Sequence, residues 1–210
     1  MPARLTLTAF GAAASALALT ACAMTPPADP SAPARLMATA DMARAQVTPA
    51  ARNAALAGVQ PMTGVTNEQY VVMAAASDLF EIESSRLALE RARDAMTRQY
   101  AQMLIDHHTT STQALMQKVK EAGMAPPPPP MLTPEQRAAM ERLRAAPAGG
   151  FDQAYFVEQV NSHRMAWQLH QGFAQSGGHP ALRQAAMTVV PVVEQHLVEA
   201  HRHSTMHHRG

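Results

Sequence analysis

The sequence of 210 residues predicts an all-α protein, a four-helix bundle with one extra short helix. Over several long stretches, apolar residues recur at intervals of three and four, which is the spacing of an amphipathic helix. No stretch of the sequence shows the sustained apolar–polar alternation of a strand. Alanine inflates the hydrophobic fraction of 47%, and this favours helices that pack closely through small side chains.

The N-terminus resembles the signal peptide of a bacterial lipoprotein. Arg4 precedes an apolar run that is too short and too rich in small residues to be a convincing membrane span. The run ends in Leu-Thr-Ala-Cys, the order of a lipobox, and Cys22 is the only cysteine of the chain. We expect residues 1–21 to be removed and Cys22 to carry a lipid that anchors the protein in a membrane. The alternative is an ordinary signal peptide followed by a stray buried cysteine.

This N-terminus predicts a location in the cell envelope, on the periplasmic side. Ala23 follows the cysteine where inner-membrane lipoproteins carry an aspartate, so the outer membrane is favoured. With its lone cysteine lipidated, the chain has no thiol left for a disulfide. The fold must then rest on its apolar core.

Two proline-containing stretches divide the chain. Residues 22–65 consist largely of Ala, Pro, Thr and Met and offer too little bulky apolar surface to offset the entropy of ordering. We interpret them as a disordered tether with a transient helix around residues 34–46. A second break, residues 125–130, contains five consecutive prolines that form a stiff spacer. The predicted bundle spans residues 66–205, and a histidine-rich tail, 206–210, follows it.

Capping residues mark where the first helices of the bundle begin. Thr66 with Gln69 has the form of a capping box, and so has Thr133 with Gln136, which opens the short extra helix. Asp94 can cap a second long helix because its carboxylate can accept a hydrogen bond from a free amide of the first turn. These signals predict three separate helix starts.

The ends of the helices and the second half of the bundle follow from glycine and proline. Gly123 can end the second long helix in a left-handed conformation. A third long helix is predicted from residue 152 to about 175, and a fourth from near residue 180 to 205. Pro191 is expected to kink the fourth helix because proline lacks the amide that the helix needs.

The composition excludes some classes of function. The formal net charge is +1, from 17 basic and 16 acidic residues, and only 4% of the residues are aromatic. Such a chain offers neither a basic stripe for phosphates nor aromatic rings on which bases stack, so no nucleic-acid partner is expected. The sequence also shows no nucleophile constellation and no phosphate-binding glycine loop, which argues against an enzyme. The sequence names no protein partner.

Each long helix offers one ionisable group to the interior of the bundle. Adjacent residues on a helix point about 100° apart, so His107 and His108 cannot both face inward. Apolar neighbours select His108 and leave His107 near the surface, able at most to contribute from the helix flank. His163 and His196 lie on equally apolar stripes, and Glu81 lies on a face of small residues.

Two further residues are candidates, and two interpretations remain open. Glu83 and His170 lie where they could also reach the interior. Buried ionisable groups are usually hydrogen-bonded to one another or bound to a metal. The first interpretation is an internal network that shares protons, which is the simpler one from spacing alone because four helices would otherwise have to converge at one level. The second is a mononuclear site for Zn, Fe, Mn or Cu.

Three stretches together resemble a known bacterial family: SDLFEIESSRLALERARDAMTRQYAQMLIDHHTTSTQAL, FDQAYFVEQVNSHRMAWQLHQGF and VVPVVEQHLVEAH. The family is called domain of unknown function 4142, and the resemblance covers about residues 66–200. It implies an envelope protein with a ferritin-like fold and no established activity. It also implies that the family's recurring acidic and histidine positions fall on Glu81, in preference to Glu83, and on His108, His163 and His196. The run MLIDHH is similar to a second, Met- and His-rich ferritin-like family linked to copper.

The chain departs from the di-iron proteins of that fold. These carry Glu-x-x-His on two helices. Here the residues three positions before His108, His163 and His196 are apolar. Oxygen activation at a carboxylate-bridged di-iron centre is therefore unsupported, and the fold alone does not imply a function.

The C-terminal tail offers a weaker metal site at the surface. His203 and His207 are one helical turn apart, a spacing that can chelate. We interpret this tract as a solvated terminus that binds metals weakly and without selectivity.

The leading hypothesis is a lipid-anchored, non-enzymatic helical bundle of the envelope. Its interior Glu/His cluster is the candidate site for a transition metal. Two alternatives stay open. One is a metal-dependent redox or metal-storage protein of the envelope, and the other is a structural or partner-docking module.

Overall fold

A computed structural model describes residues 29–207, and the predicted all-α bundle is confirmed over that range. Seven helices follow one another within it: α1 Ala32–Gln46, α2 Pro49–Ala55, α3 Asn67–Arg91, α4 Ala95–Glu121, α5 Pro134–Ala145, α6 Phe151–Ser176 and α7 Pro180–His207. None of these seven is both long and apolar enough to cross a membrane. The predicted signal peptide and Cys22 lie outside the described residues.

The predicted capping residues begin the helices as expected. The Thr66 hydroxyl accepts a hydrogen bond from the Gln69 amide at 3.2 Å, and the Gln69 side chain accepts one from the Thr66 amide at 2.9 Å. The same reciprocal pair begins α5, and the Asp94 carboxylate accepts from the first turn of α4. Gly123 ends α4 with φ +67°, a left-handed conformation that glycine adopts without strain.

Four long helices form the bundle. Helices α3 and α4 pack on each other, as do α6 and α7. Helix α4 also packs on α7, and α3 on α6, so the four are arranged in a ring in the order α3, α4, α7, α6. The short α5 packs against α3 and α6. Helix α7 continues through Pro191, where the sequence predicts a kink.

The structure differs from the predicted tether over residues 32–55. Helix α1 packs against α4 and α7, and Ala32, Leu36 and Ala40 are buried there. Helix α2 is held to α7 by an ion pair of 2.7 Å between Arg52 Nε and Glu194 Oε1. The transient helix expected around residues 34–46 is thus a docked helix. Alanine side chains allow the close approach, and tertiary contact supplies the stability that so short a helix lacks alone.

The interior consists of two apolar layers with polar groups between them. Toward the α3–α4 connection, the core contains Phe80, Leu104, Phe151, Tyr155 and Phe156. Toward the α6–α7 connection, a second core contains Tyr70, Leu115, Leu169, Phe173 and Leu182. Each long helix passes through both layers, so each contributes its central residues to the level between them.

One glycine is required by a close crossing of the chain. A Cβ atom on Gly172 of α6 would lie 1.8 Å from the backbone oxygen of Met62, which is far inside contact distance. The Met62 amide also donates a hydrogen bond of 2.8 Å to the carbonyl oxygen of Gln168. The segment before α3 therefore lies directly on the backbone of α6.

We expect Gly172→Ala to lower the free energy of unfolding by about 1–3 kcal/mol, because the methyl group must displace backbone rather than a flexible side chain. Urea denaturation followed by circular dichroism measures this change. Gly149→Ala is the matched control, since its added Cβ meets no atom within 4 Å. Equal midpoints for the two variants would show that the Met62 segment moves aside at no cost.

Candidate metal centre

The four long helices each bring one predicted residue to the polar level. Glu81 lies on α3, His108 on α4, His163 on α6 and His196 on α7. Glu81, His163 and His196 are 0% exposed and His108 is 5% exposed. The apolar stripes therefore selected residues that do face the interior, because in a four-helix bundle the apolar stripe is the face that meets the other three helices.

Three of these side chains converge. One ring nitrogen from each of His108, His163 and His196 lies within 4.8 Å of the other two. The ring centroids of His108 and His196 are 5.3 Å apart, and those of His163 and His196 are 5.2 Å apart. Imidazoles at this spacing can bind one transition-metal ion after small side-chain movements.

An aspartate on α3 orients His108. Its Nδ1 lies 2.8 Å from Asp78 Oδ1, and the second carboxylate oxygen of Asp78 accepts a hydrogen bond of 2.9 Å from Thr112. Nδ1 must carry the proton because a carboxylate accepts. Nε2 then turns to the centre, where no residue of the described chain forms a hydrogen bond with it.

A backbone carbonyl orients His163 in the same way. Its Nδ1 donates to the carbonyl oxygen of Gln159 at 2.8 Å, so the proton position is fixed. Nε2 is buried and has no partner within residues 29–207. A hydrogen bond from the outer ring nitrogen is what metal-binding histidines usually make.

A second histidine contacts His196 from the helix flank. His107 Nδ1 lies 2.8 Å from His196 Nε2, and their rings stack at 5.1 Å with an angle of 19°. Either nitrogen can be the donor. The other nitrogen of His196, Nδ1, is buried and forms no hydrogen bond with the part of the chain that is described. His107 is half-buried, in agreement with its predicted place on the flank of α4.

Glu81 lies beside His163, and its charge also acts on His108. Its Oε1 is 3.7 Å from His163 Nδ1, which is longer than a hydrogen bond. Neither carboxylate oxygen accepts a hydrogen bond from any residue between 29 and 207. Glu81 is not within the mutual 4.8 Å distance that joins the histidines. The sharing of protons between Glu81 and the histidines, which the network interpretation requires, is therefore not observed.

Burial and neighbouring charges move the histidine pKa values in opposite directions. Burial lowers the pKa of His163, and it lowers that of His196 well below the usual range, with the neighbouring histidines adding to the effect. Burial also lowers the pKa of His107. For His108 burial opposes protonation, but the hydrogen bond and the charge of Asp78 outweigh it and raise the pKa.

The other candidates lie away from this group. His170 is buried, but its Nδ1 is bonded to the Tyr70 hydroxyl at 3.0 Å. Glu83 is only partly buried. The surface site predicted at the C-terminus is wrong for His203, which is buried at 5% exposure and stacks on Phe156 at 4.7 Å because α7 extends the bundle to its end. The side chain of His207 lies outside the described part of the chain.

Sequence reasoning missed two polar partners of the centre. Asp78 is three positions before Glu81, so both lie on one face of α3, and this spacing could have identified it. The contact between His107 and His196 depends on how α4 packs against α7. No local pattern reveals it.

Comparison with known families identifies the family of the chain. The chain matches the family described as Domain of unknown function (DUF4142) over residues 45–202, well over half of its length. The chain belongs to this family. The DUF4142 match includes α2 to α6, nearly all of α7 and all four centre residues, whereas α1 lies almost wholly before it. Neither curated proteins nor solved structures gave a significant match.

The buried histidines should make the metal-free DUF4142 bundle unstable in acid. Burial lowers the pKa of His170 to about 4, and those of His163 and His196 are also lowered. In the unfolded chain each titrates near about 6.5, so below that pH the unfolded state binds more protons. For each such histidine, the free energy of unfolding then falls by about 1.4 kcal/mol for every unit by which the pH is lowered. The raised pKa of His108 acts oppositely, because its contribution is present below about 6.5 and lost at higher pH.

The test is urea denaturation with a chelator present, at several values between about pH 4 and pH 8. His170→Asn should flatten the slope by one histidine between about pH 4 and pH 6.5. Tyr70→Phe is the control, since it removes the hydrogen bond to His170 but leaves the titrating group in place. An unchanged slope for His170→Asn would mean that His170 does not stay neutral in the folded protein.

Proposed function

We propose that this protein is a lipid-anchored, non-enzymatic bundle of the cell envelope that binds one transition-metal ion between its four long helices. The observation that supports metal binding most directly is a set of buried polar atoms without hydrogen-bond partners. These atoms are His108 Nε2, His163 Nε2, His196 Nδ1 and both carboxylate oxygens of Glu81, considered within residues 29–207.

A cation satisfies these groups better than a proton network does. Two of the three histidines have the outer Nδ1 proton fixed by an acceptor, so their inner nitrogens present lone pairs in the neutral state. Burying the inner lone pairs of His108 and His163 and the carboxylate oxygens of Glu81 without a hydrogen-bond donor is costly. A divalent metal ion would accept electron density from all of them at once.

The donor set indicates which metals fit. His108, His163 and His196 would supply nitrogen, and Glu81 is placed beside them to supply oxygen. Imidazole with carboxylate suits Zn, Fe, Mn or Cu(II), whereas Cu(I) prefers thiolate and thioether. For ligation by Nδ1, His196 must carry its proton on Nε2, and His107 Nδ1 would then accept it.

The enclosure of the centre favours a structural or carrier role over catalysis. Catalytic metal sites keep an open coordination position that substrate or water can reach, and structural sites are filled by protein ligands. Here four side chains are available and none is more than 5% exposed. The competing redox or storage function would need access to the ion, and iron storage would need more than one ion. The structural or partner-docking alternative would need no ion at all.

Metal binding can be measured on the full chain purified without an affinity tag. We expect about one ion per chain and an increase of about 2.7 kcal/mol in the free energy of unfolding when the free metal is a hundred times its dissociation constant. His108→Ala and His163→Ala should abolish stoichiometric retention, because each removes one of few ligands. Mass spectrometry of the dialysed protein gives the metal content.

A double variant, His207→Ala with His208→Ala, is the control for adventitious binding by the tail, and it should retain the ion. The proposal fails if the wild-type chain binds no metal, or if both core variants retain as much as wild type does. Oxidase or peroxidase activity that depends on His108 and His163 would favour the redox alternative instead.

The envelope location rests on the lipobox and on Cys22. We expect wild-type protein expressed in a Gram-negative host to incorporate an alkynyl fatty acid, and Cys22→Ser to incorporate none. Ala23→Asp is the matched control, because it should keep the lipid but move the protein from outer-membrane to inner-membrane fractions. Equal labelling of Cys22→Ser and wild type would rule out lipidation at this residue.

A further inference from the structure

We propose that His107 is an outer ligand of the metal centre, which receives an ion at its half-buried ring on the flank of α4 and passes it to His196. This inference rests on the metal binding proposed above and concerns the route by which the ion is loaded and released. His107 is absent from the set of residues that the sequence selected as ligands.

The enclosed centre requires some such route. The inner nitrogens of His108, His163 and His196 are buried, and the apolar layers lie on both sides of them along the bundle axis. A hydrated divalent ion crosses apolar layers with difficulty, because it would lose its water before it gained ligands. A route that begins at the half-buried ring of His107 avoids that loss, because the ion gains a ligand as it leaves the water.

The arrangement of the imidazole rings provides the route. The centroid of His196 lies 5.1 Å from that of His107, 5.3 Å from that of His108 and 5.2 Å from that of His163. His196 is thus in contact with the half-buried ring and with both inner rings. Since Nε2 of His196 carries the proton that His107 accepts, the His196 ring must turn for its Nδ1 to take the ion from His107. When the ring turns back, Nδ1 brings the ion to the inner nitrogens, so the ion keeps a ligand throughout.

The helix geometry explains why one residue can lie on the surface side and its neighbour inside. His107 and His108 are consecutive on α4, so their side chains point about 100° apart. His108 points to the centre and to Asp78, whereas His107 points to α7 and reaches His196 Nε2 at 2.8 Å. Nδ1 of His107 can bind an ion once this hydrogen bond opens.

A different role for His107 would be to orient His196 only, and the two roles predict different kinetics. His107→Gln separates them. A glutamine amide oxygen can still accept the proton of His196 Nε2, but an amide is a poor ligand for a transition metal. If His107 is an outer ligand, this variant loses the route and keeps the orientation of His196.

The experiment follows loading by stopped flow, with Co(II) as a coloured probe and Zn(II) as its competitor, on the full chain. We expect His107→Gln to slow both association and release at least about tenfold, an added barrier of about 1.4 kcal/mol, with occupancy at equilibrium unchanged. His201→Gln is the control, because His201 is also a partly buried histidine but lies on α7, and this variant should load as wild type does. His107→Ala should also load slowly, and circular dichroism establishes that each variant is folded.

The outcomes separate this inference from the proposed function. If wild type binds Co(II) and His107→Gln loads at the same rate, the outer-ligand role is wrong and the metal centre stands. A second outcome is that His107→Gln loads as wild type does, while His107→Ala binds the metal about 10–100-fold more weakly because it releases the ion faster. His107 then merely orients His196, and the inference is again overturned. If wild type binds no Co(II) or Zn(II), the metal centre itself fails.

Discussion

The constraint on which this structure depends is the placement of buried polar groups at one level of a four-helix bundle. Each helix brings an ionisable side chain to that level, and apolar layers lie on either side. Burying such groups is unfavourable unless each is paired or bound to an ion. A shift of one helix by a single turn would move its polar group into an apolar layer, where it could meet none of the others. The centre therefore fixes the relative positions of α3, α4, α6 and α7, which apolar packing alone would leave less defined.

The partners outside the centre give each imidazole a definite direction. Asp78 accepts from His108, the Gln159 carbonyl oxygen accepts from His163, and His107 contacts His196. Three different kinds of group thus turn an inner nitrogen toward the same space. Each hydrogen bond offsets part of the cost of burying its ring, and it leaves an inner nitrogen without a partner among residues 29–207. Consistent orientation is what links the fold to metal binding.

The sequence predicts the parts of this structure that depend on local chemistry. The capping boxes at Thr66 and Thr133 are local, because donor and acceptor are three residues apart, and both form as predicted. The inward position of His108 follows from helical periodicity, which is also local, whereas the choice of Glu81 over Glu83 came only from the family resemblance. Asp78 lies at helical spacing from Glu81 and could have been found by the same reasoning.

What the sequence does not predict arises from contacts between distant segments. Helix α1 was interpreted as a tether because its alanines carry little apolar surface, yet those alanines fit closely between α4 and α7. His203 was placed in a solvated tail because its neighbours are polar, and it is buried because α7 is long enough to stack it on Phe156. In both cases the surface that covers the segment comes from residues far away in the chain, so composition within the segment carries no signal of it.

If the centre binds a metal as proposed, Asp78 has two opposed effects on that binding, and their balance depends on pH. Its hydrogen bond holds His108 in the orientation that a ligand needs, and it makes the ring a stronger electron donor. The same bond raises the pKa of His108, so a proton competes with the metal for Nε2. For His163 and His196 burial lowers the pKa, and these rings are ready to bind without losing a proton. The competition between proton and metal is thus concentrated on His108. Above the pKa of His108 the carboxylate strengthens binding, and below it the ion must first displace the proton that Asp78 helps to hold.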